Sequence, residues 1–315
     1  MSGTSLDTPH FDLSAAASDV YAQAGIGVFP ASDVIGAEIR GVDLSEELDP
    51  ASLGAIHRAW LENCVVVLRN QRLSDGDLVR FSSHFGKLAT GPNMAWQPEE
   101  GRAHPEIFVI SNVIENEHPI GFLGDTELDW HTDLCHTDTP PKATTLYSLE
   151  IPANGSGDTG YMNMYAMLDA LPSGLRSRLD GLQLKHEAGH TLQGEVRYGQ
   201  DEDKIRNIED APGPVHPLVR THPETGRRAL YLGRQRNGDF RATCVVGMSR
   251  PESDALLDRI WELIREESCA WYHKWQVGDF LMWDNRCVMH RRGAFDSNMR
   301  RVMHRTQIMA SVAPI

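Results

Sequence analysis

His131 and Asp133 could together hold a metal ion, because residues two apart on an extended segment point to the same face. His290, far along the chain in a strand-rich segment, could supply a third ligand. Two imidazoles and one carboxylate leave three positions open on an octahedral ion, the arrangement that non-heme Fe(II) oxygenases use. The open positions would accept a bidentate keto acid and then O₂. These residues predict a metal centre for oxidative chemistry.

A second copy of the His-Thr-Asp sequence competes with the first, since it begins at His136 and ends at Asp138. Equivalent residues of the two copies are five positions apart, an odd offset, so on one extended strand they would face opposite sides. One metal ion therefore cannot use both copies. Spacing alone does not choose between them.

Two arginines near the C-terminus could bind carboxylates. A keto-diacid needs a cation for its distal carboxylate, and the guanidinium of arginine offers a bidentate fork. In the segment RRVMHR, Arg301 and Arg305 share one face of a predicted strand. A turn joins this strand to the one that carries His290, so both strands can line one pocket. The alternative for this segment is an exposed, cationic edge strand.

Residues 186–190 read HEAGH and match the zinc protease motif HExxH, in which two histidines on one helical face bind zinc. A zinc-dependent hydrolase is therefore one alternative function. Gly189 disfavours the helix that this motif requires by about 1 kcal/mol relative to alanine. A second alternative is a non-catalytic, cupin-like binding protein, which would retain the fold without turning over a keto acid.

The patterns along the chain predict a mainly β fold with flanking helices. Helices are predicted over 49–63, after Ser74, over 164–180 and over 250–268, with strands at 65–70 and through the C-terminal region. Residues 1–24 are polar and predicted to be a flexible segment. Residues 25–315 show no repeat or linker and are predicted to form one domain.

Composition excludes several classes of protein. The chain has 315 residues and a net charge of −14, so it lacks the overall basic character of a nucleic-acid-binding protein. Its five cysteines are irregularly spaced and predict no disulfide framework. No apolar stretch is long enough to cross a membrane, and no signal peptide is recognisable. We expect a cytoplasmic enzyme that acts on a small molecule.

The chain resembles the taurine dioxygenase/2,4-dichlorophenoxyacetate dioxygenase (TauD/TfdA) family. The matching motifs are WHTD at 130–133, two prolines at 140–141, GSGDT at 155–159, WDNR at 283–286 with His290, and RRVMHR at 300–305. The resemblance extends from about residue 25 to the C-terminal region. It selects His131 and Asp133 over the second copy.

The resemblance implies a double-stranded β-helix (jelly roll) that binds Fe(II), 2-oxoglutarate and O₂. It implies that Thr159 and Arg301 hold the distal carboxylate of 2-oxoglutarate, and that Arg305 lies near the acidic group of the primary substrate. The implied reaction hydroxylates a small organic acid, and in some cases thereby cleaves it, with release of succinate and CO₂. A homo-oligomer is expected, because homo-oligomers are common among soluble enzymes and in this family.

One departure from the family concerns the primary substrate. The family places an asparagine four residues before the first metal histidine, where this chain has Glu127. A carboxylate in the pocket would disfavour a sulfonate such as taurine. Glu127 and Arg305 together would suit a zwitterion or an amine-bearing acid.

Overall fold

The computed structural model describes residues 17–91, 103–125, 127–191, 194–201, 203 and 205–315. The predictions for residues 1–16 lie outside the described residues. The helices are α1 (Ala17–Gln23), α2 (Pro50–Asn63), α3 (Asp75–Ser83), α4 (Met164–Ala170), α5 (Ser173–Arg176) and α6 (Arg250–Arg265).

Most of the described strands are short. In the N-terminal half they are β1 (Gly27–Pro30), β2 (Ala37–Arg40), β3 (Val65–Leu68), β4 (Phe108–Ser111), β5 (Ile114–Glu115), β6 (His118–Pro119), β7 (Phe122–Leu123), β8 (Leu128–His131), β9 (Pro141–Glu150) and β10 (Thr159–Asn163). The remaining strands are β11 (Gln183–His186), β12 (Val215–Pro217), β13 (Val219–Thr221), β14 (Arg228–Leu230), β15 (Arg236–Asn237), β16 (Phe240–Arg241), β17 (Thr243–Val245), β18 (Ala270–His273), β19 (Phe280–Asp284), β20 (Val288–Arg292) and β21 (Val302–Met309).

Two sheets of the fold face each other. The larger has the strand order β1-β2-β3-β19-β9-β21-β4-β7, and the smaller has the order β18-β10-β20-β8. A buried apolar cluster contains Leu146 and Trp283 of the larger sheet together with Tyr161 and Met289 of the smaller, so it fills the space between them. Two facing sheets joined by crossing connections form a jelly roll, and the predicted fold is confirmed.

The larger sheet is also covered on its outer face. Along β19, Leu281 and Trp283 belong to the cluster between the sheets, whereas Phe280 and Met282 belong to a second cluster with Trp60 of α2. This alternation is the two-residue period of a strand. Because β19 is buried on both faces, it reads in the sequence as a continuous apolar run.

The helices begin where capping residues predict. The Asp49 carboxylate accepts a hydrogen bond from the Ser52 N–H ahead of α2, and Ser74 forms a capping box with Asp77 ahead of α3. The helix predicted over 164–180 ends early, at Ala170. Leu171 precedes Pro172 and is extended (φ −61°, ψ 140°), because proline disfavours helical geometry in the residue before it.

Part of the segment predicted to be flexible is helical. Helix α1 lies beside α2, and the Tyr21 hydroxyl donates to the Glu62 carboxylate (2.7 Å). Val20 and Tyr21 pack against the outer apolar cluster. Among the helices that the structure describes, none combines the length and apolar character needed to cross a membrane.

Candidate active site

The three predicted metal ligands lie together between the sheets. His131 at the end of β8 and His290 in β20 are register partners, and their ring centroids are 4.2 Å apart. Asp133 lies in the turn after β8, with its Oδ1 4.0 Å from His131 Nε2 and 3.8 Å from His290 Nε2. One ligand atom from each residue lies within 4.8 Å of the others, and all three residues are buried. This is the geometry of a two-histidine, one-carboxylate metal site.

Hydrogen bonds hold two of these ligands in a metal-binding orientation. His131 Nδ1 donates to the Asp129 carbonyl oxygen (2.7 Å), which leaves the lone pair of Nε2 facing the site. The Thr144 hydroxyl donates to Asp133 Oδ2 (2.7 Å) and accepts from Asn285 Nδ2 (2.8 Å). Asn285 Oδ1 in turn accepts from the Trp283 indole N–H (3.0 Å). The WDN motif therefore fixes the orientation of the aspartate ligand.

The electrostatics of the site keep the three residues in the protonation states that bind a metal. Burial lowers the pKa of His131 well below its ordinary value and that of His290 to about 4, so both rings are neutral at pH 7. Burial raises the pKa of Asp133, but His290, which is protonated at the low pH at which Asp133 titrates, and the charge of Arg305 outweigh this effect. Its net pKa is below the ordinary value, and the carboxylate is ionised.

A pocket lies beside His131 and His290, and three arginines contribute to it. The lining residues are Ile110, Leu123, Leu128, His131, Leu146, Thr159, Trp283, His290, Arg292, Arg301 and Arg305. Arg301 is 1% exposed, and its Nε and Nη2 have no hydrogen-bond partner among the described residues. A buried guanidinium in this state calls for an anion. The pocket therefore fits a carboxylate at Arg301.

Thr159 lines the same pocket as Arg301 and keeps a hydroxyl proton that it can donate. The indole N–H of Trp275 donates to the Thr159 hydroxyl oxygen (2.9 Å), so the hydroxyl proton is free to point elsewhere. Thr159 is 3% exposed and lines the same pocket as Arg301. The structure thus brings both predicted 2-oxoglutarate residues together beside the metal ligands.

Arg305 occupies a different part of the pocket. Its Nη1 lies 3.8 Å from Asp133 Oδ1, and its guanidinium carbon lies 5.1 Å from the centroid of the Phe108 ring. The side chain is 17% exposed. Arg305 is therefore more exposed than Arg301 and can reach a ligand that lies beside Asp133.

The structure does not bring Glu127 into this pocket. Its side chain is 49% exposed and forms an ion pair with Arg291, on the outward face of β20. Arg291 also donates to Glu267 (2.7 Å). The contact between Glu127 and substrate stays a prediction, and in this conformation another residue holds the carboxylate.

The second His-Thr-Asp copy lies in the turn that follows Asp133. His136 is not part of either group of potential metal ligands among the described residues. Burial lowers its pKa to about 4. The Thr137 hydroxyl donates to the Leu134 carbonyl (2.8 Å), a bond that stabilises the turn. The group of potential ligands thus contains His131 and Asp133 of the first copy, the copy that the family resemblance selects.

The HEAGH segment has neither the helix nor the free carboxylate of a zinc protease. His186 ends strand β11, and the segment continues as a loop. Glu187 Oε1 accepts from the backbone of Gly189 and from His190 (2.9 Å), while Oε2 accepts from Asn237 (2.6 Å). A carboxylate with this many donors serves a structural role, and the hydrolase alternative is not favoured.

A second buried group of potential ligands consists of His222, Asp284 and Cys287. Asp284 Oδ1 accepts from Arg286 Nε (2.8 Å), and Oδ2 accepts from Arg286 Nη2 (2.7 Å) and His222 Nε2 (3.0 Å). Both carboxylate oxygens are therefore satisfied within the protein. This network stabilises the turn between β19 and β20, and thereby the strand that carries His290.

Sequence reasoning missed several residues that shape the site. Thr144 and Asn285 orient the metal ligand, Trp275 orients Thr159, and Arg292 adds a third cation to the pocket. Of these residues, only Arg292 could have been identified from the sequence, because it stands two residues after His290 and therefore shares its face of the strand. The contacts of Asn285 with Thr144 and of Trp275 with Thr159 join segments that are distant in the sequence.

Comparison with known proteins identifies the family. The family model described as "Taurine catabolism dioxygenase TauD, TfdA family" matches residues 27–307. An alpha-ketoglutarate-dependent 2,4-dichlorophenoxyacetate dioxygenase of Cupriavidus pinatubonensis is 32% identical over 285 residues, which cover 88% of this chain and 95% of the relative. A pentalenolactone F synthase of Streptomyces arenae is 31% identical over 280 residues, which cover 85% and 90%.

Solved structures agree with this identification. A taurine dioxygenase from Burkholderia xenovorans has a TM-score of 0.73 and 32% identity, covering 92% of this chain and 91% of its own. The structure of AAD-2 in complex with Mn(II) and N-oxalylglycine has a TM-score of 0.71 and 25% identity, covering 92% and 99%. The chain therefore belongs to the TauD/TfdA family and is a 2-oxoglutarate-dependent non-heme iron dioxygenase.

Proposed function

We propose that His131, Asp133 and His290 hold Fe(II), that Thr159 and Arg301 bind the distal carboxylate of 2-oxoglutarate, and that the enzyme hydroxylates a small organic acid. The observation that carries this proposal is the buried triad beside the unsatisfied guanidinium of Arg301. When bound, Fe(II) with the keto acid activates O₂ for C–H hydroxylation, with succinate and CO₂ as co-products.

The residues of the chain contribute orientation and exclusion of water. Arg301 and Thr159 fix the far end of the keto acid, which leaves its keto and adjacent carboxylate groups directed at the metal ligands. Apolar side chains, among them Ile110, Leu128 and Leu146, cover the space beside the ligands. A dry, apolar wall limits side reactions of a strongly oxidising centre.

An acidic group on the primary substrate would be bound by Arg305. Its guanidinium is close to the ligand set yet partly open to solvent, which suits a substrate that binds after the keto acid. The names of two relatives support this class, since they act on 2,4-dichlorophenoxyacetate and on (S)-phenoxypropionate. We propose a carboxylic acid in which a C–H bond adjacent to a heteroatom is hydroxylated, so that the product cleaves.

A succinate-release assay tests this proposal. The Fe(II)-loaded enzyme is given 2-oxoglutarate, O₂ and a panel of aryloxyalkanoic and related acids. An accepted acid is expected to stimulate succinate release, and Arg305→Met is expected to lower kcat/KM for that acid by roughly two orders of magnitude. Losing one member of a buried charge pair costs about 2–5 kcal/mol.

Arg300→Met is the matched control, because Arg300 lies outside the pocket and pairs with Glu150 (2.7 Å) and Glu115 (3.1 Å) on the surface. It should leave kcat/KM unchanged. Equal losses in both variants, or no loss in Arg305→Met, would contradict the role of Arg305. Absence of succinate in every reaction, including those without a primary substrate, would contradict the proposed function itself.

A further inference from the structure

Arg292 lies on the same face of strand β20 as the proposed metal ligand His290, two residues after it. It is also the register partner of Thr159 on the neighbouring strand β10. Side chains at opposed positions of antiparallel strands have Cβ atoms about 4.5–5.5 Å apart. The strand geometry therefore places Arg292 beside the proposed binding site for the distal carboxylate.

A shared aromatic ring places Arg292 next to Arg301. The guanidinium carbons of Arg292 and Arg301 lie 5.5 Å and 5.7 Å from the centroid of Phe295. The two arginines are 5% and 1% exposed. The two cations repel each other. Asp125 favours the charged form of Arg292, whereas no carboxylate among the described residues pairs with Arg301, so an anion between the two guanidinium groups would relieve the repulsion.

The backbone fixes Arg292 in this position. Its Nη2 donates to the Leu123 carbonyl oxygen (2.8 Å), which belongs to the short strand β7 at the edge of the pocket. Arg305, by contrast, lies over Phe108 and close to Asp133. Arg292 is therefore associated with the end of the pocket that holds Arg301 and Thr159, and Arg305 with the part beside Asp133 and Phe108.

We propose that Arg292 is a second cationic residue of the 2-oxoglutarate site and binds its distal carboxylate together with Arg301 and Thr159. This inference rests on the proposed function, which gives the carboxylate to Arg301 and Thr159 alone. Two guanidinium groups at one carboxylate make the site selective for a dicarboxylate keto acid over a keto acid with an uncharged tail.

The test compares two keto acids that chelate a metal identically and differ at the far end. Anaerobic Fe(II)-loaded protein is titrated with 2-oxoglutarate and with 2-oxopentanoate, which lacks the distal carboxylate, and the visible charge-transfer absorption gives each Kd. Arg292→Gln is expected to raise the Kd for 2-oxoglutarate by roughly tenfold or more, because hydrogen bonds to charged groups contribute about 1.5–3 kcal/mol. The Kd for 2-oxopentanoate should change less than about twofold.

Arg291→Gln is the matched control, because this neighbouring arginine faces outward and pairs with Glu127 and Glu267. It should bind both keto acids like the wild type. Should glutamine at position 292 prevent folding, Arg292→Lys takes the same two titrations. Loss of the guanidinium fork is then expected to raise the Kd for 2-oxoglutarate severalfold and to leave the Kd for 2-oxopentanoate unchanged.

The outcomes separate this inference from the proposed function. Equal weakening of both keto acids would overturn the inference, because Arg292 would then act only through the bond to Leu123. Unchanged binding in Arg292→Gln, with a loss in Arg301→Gln, would also overturn it and leave the proposed function standing. Failure of the wild-type protein to bind either keto acid would refute the proposed function.

Discussion

Thr144→Val is expected to weaken metal binding while leaving the fold in place. The Thr144 hydroxyl donates to Asp133 Oδ2 (2.7 Å) at a site where the threonine is fully buried. Valine keeps the shape of the side chain but removes the donor, so Asp133 can rotate away from the orientation that directs Oδ1 at both histidines. The Asn285 amide N–H loses its acceptor in the same change.

The magnitude follows from the type of bond that is lost. A hydrogen bond to an ionised group contributes about 1.5–3 kcal/mol. Loss of a residue that orients a metal ligand typically weakens metal binding by about 10- to 100-fold, which corresponds to about 1.4–2.7 kcal/mol. Arg305, whose Nη1 lies 3.8 Å from Asp133 Oδ1, still favours the ionised carboxylate, so the loss should stay within this range.

The assay is a competition titration of Fe(II), or of Mn(II) as an air-stable substitute, against a chelator of known affinity. Thr145→Val is the matched control, because Thr145 is equally buried on the same strand and its hydroxyl bonds to Thr306 (2.7 Å), away from the ligands. The control should lose stability to unfolding but not metal affinity. A Thr144→Val affinity within twofold of wild type, or an equal loss in Thr145→Val, would refute the reasoning.

Three further predictions concern residues around the site. Glu127→Gln should leave both Kd and selectivity for the primary substrate unchanged if the ion pair with Arg291 persists during catalysis, whereas a tenfold change in KM would show that Glu127 turns inward to the substrate. His190→Gln should leave the bound metal per chain unchanged in elemental analysis, and a loss of zinc would contradict this. Glu224 is partly buried, with 27% of its side chain exposed, which raises its pKa, but the hydrogen bonds and charges of His57 and Arg286 lower it by more, to a net value of about 2. Because its ionised form is favoured by folding, Glu224→Gln should reduce the free energy of unfolding by about 2–3 kcal/mol at pH 7, with the difference shrinking as the pH falls from 4.5 towards 2; a pH-independent difference in chemical denaturation would contradict this.

Local patterns predicted the parts of the molecule that depend on neighbouring residues in the sequence. His131 and Asp133 could be paired from their spacing, and the capping residues Asp49 and Ser74 marked two helix starts. The resemblance to the family then chose between two equal His-Thr-Asp copies, which physical reasoning alone left open. It also placed Thr159, whose role no local pattern indicates.

Long-range contacts account for what the sequence did not predict. Trp283, Asn285 and Thr144 form a chain of hydrogen bonds to Asp133, in which the bond between Asn285 and Thr144 joins segments 141 residues apart. Such contacts depend on the register of strands, which periodicity does not provide. Glu127 pairs with Arg291, a contact that the sequence did not predict for a related reason. It precedes β8 at the pocket edge, where the position of Arg291 on the neighbouring strand decides which way the carboxylate turns.

The most direct test of the metal site is an anaerobic visible spectrum of the protein given Fe(II) and then 2-oxoglutarate, beside an Asp133→Ala control. Chelation of the keto acid at the proposed triad predicts a charge-transfer band in the wild type that is absent in Asp133→Ala. The same band in both proteins, or no band in a wild-type protein that retains zinc through purification, would contradict the assignment of His131, Asp133 and His290.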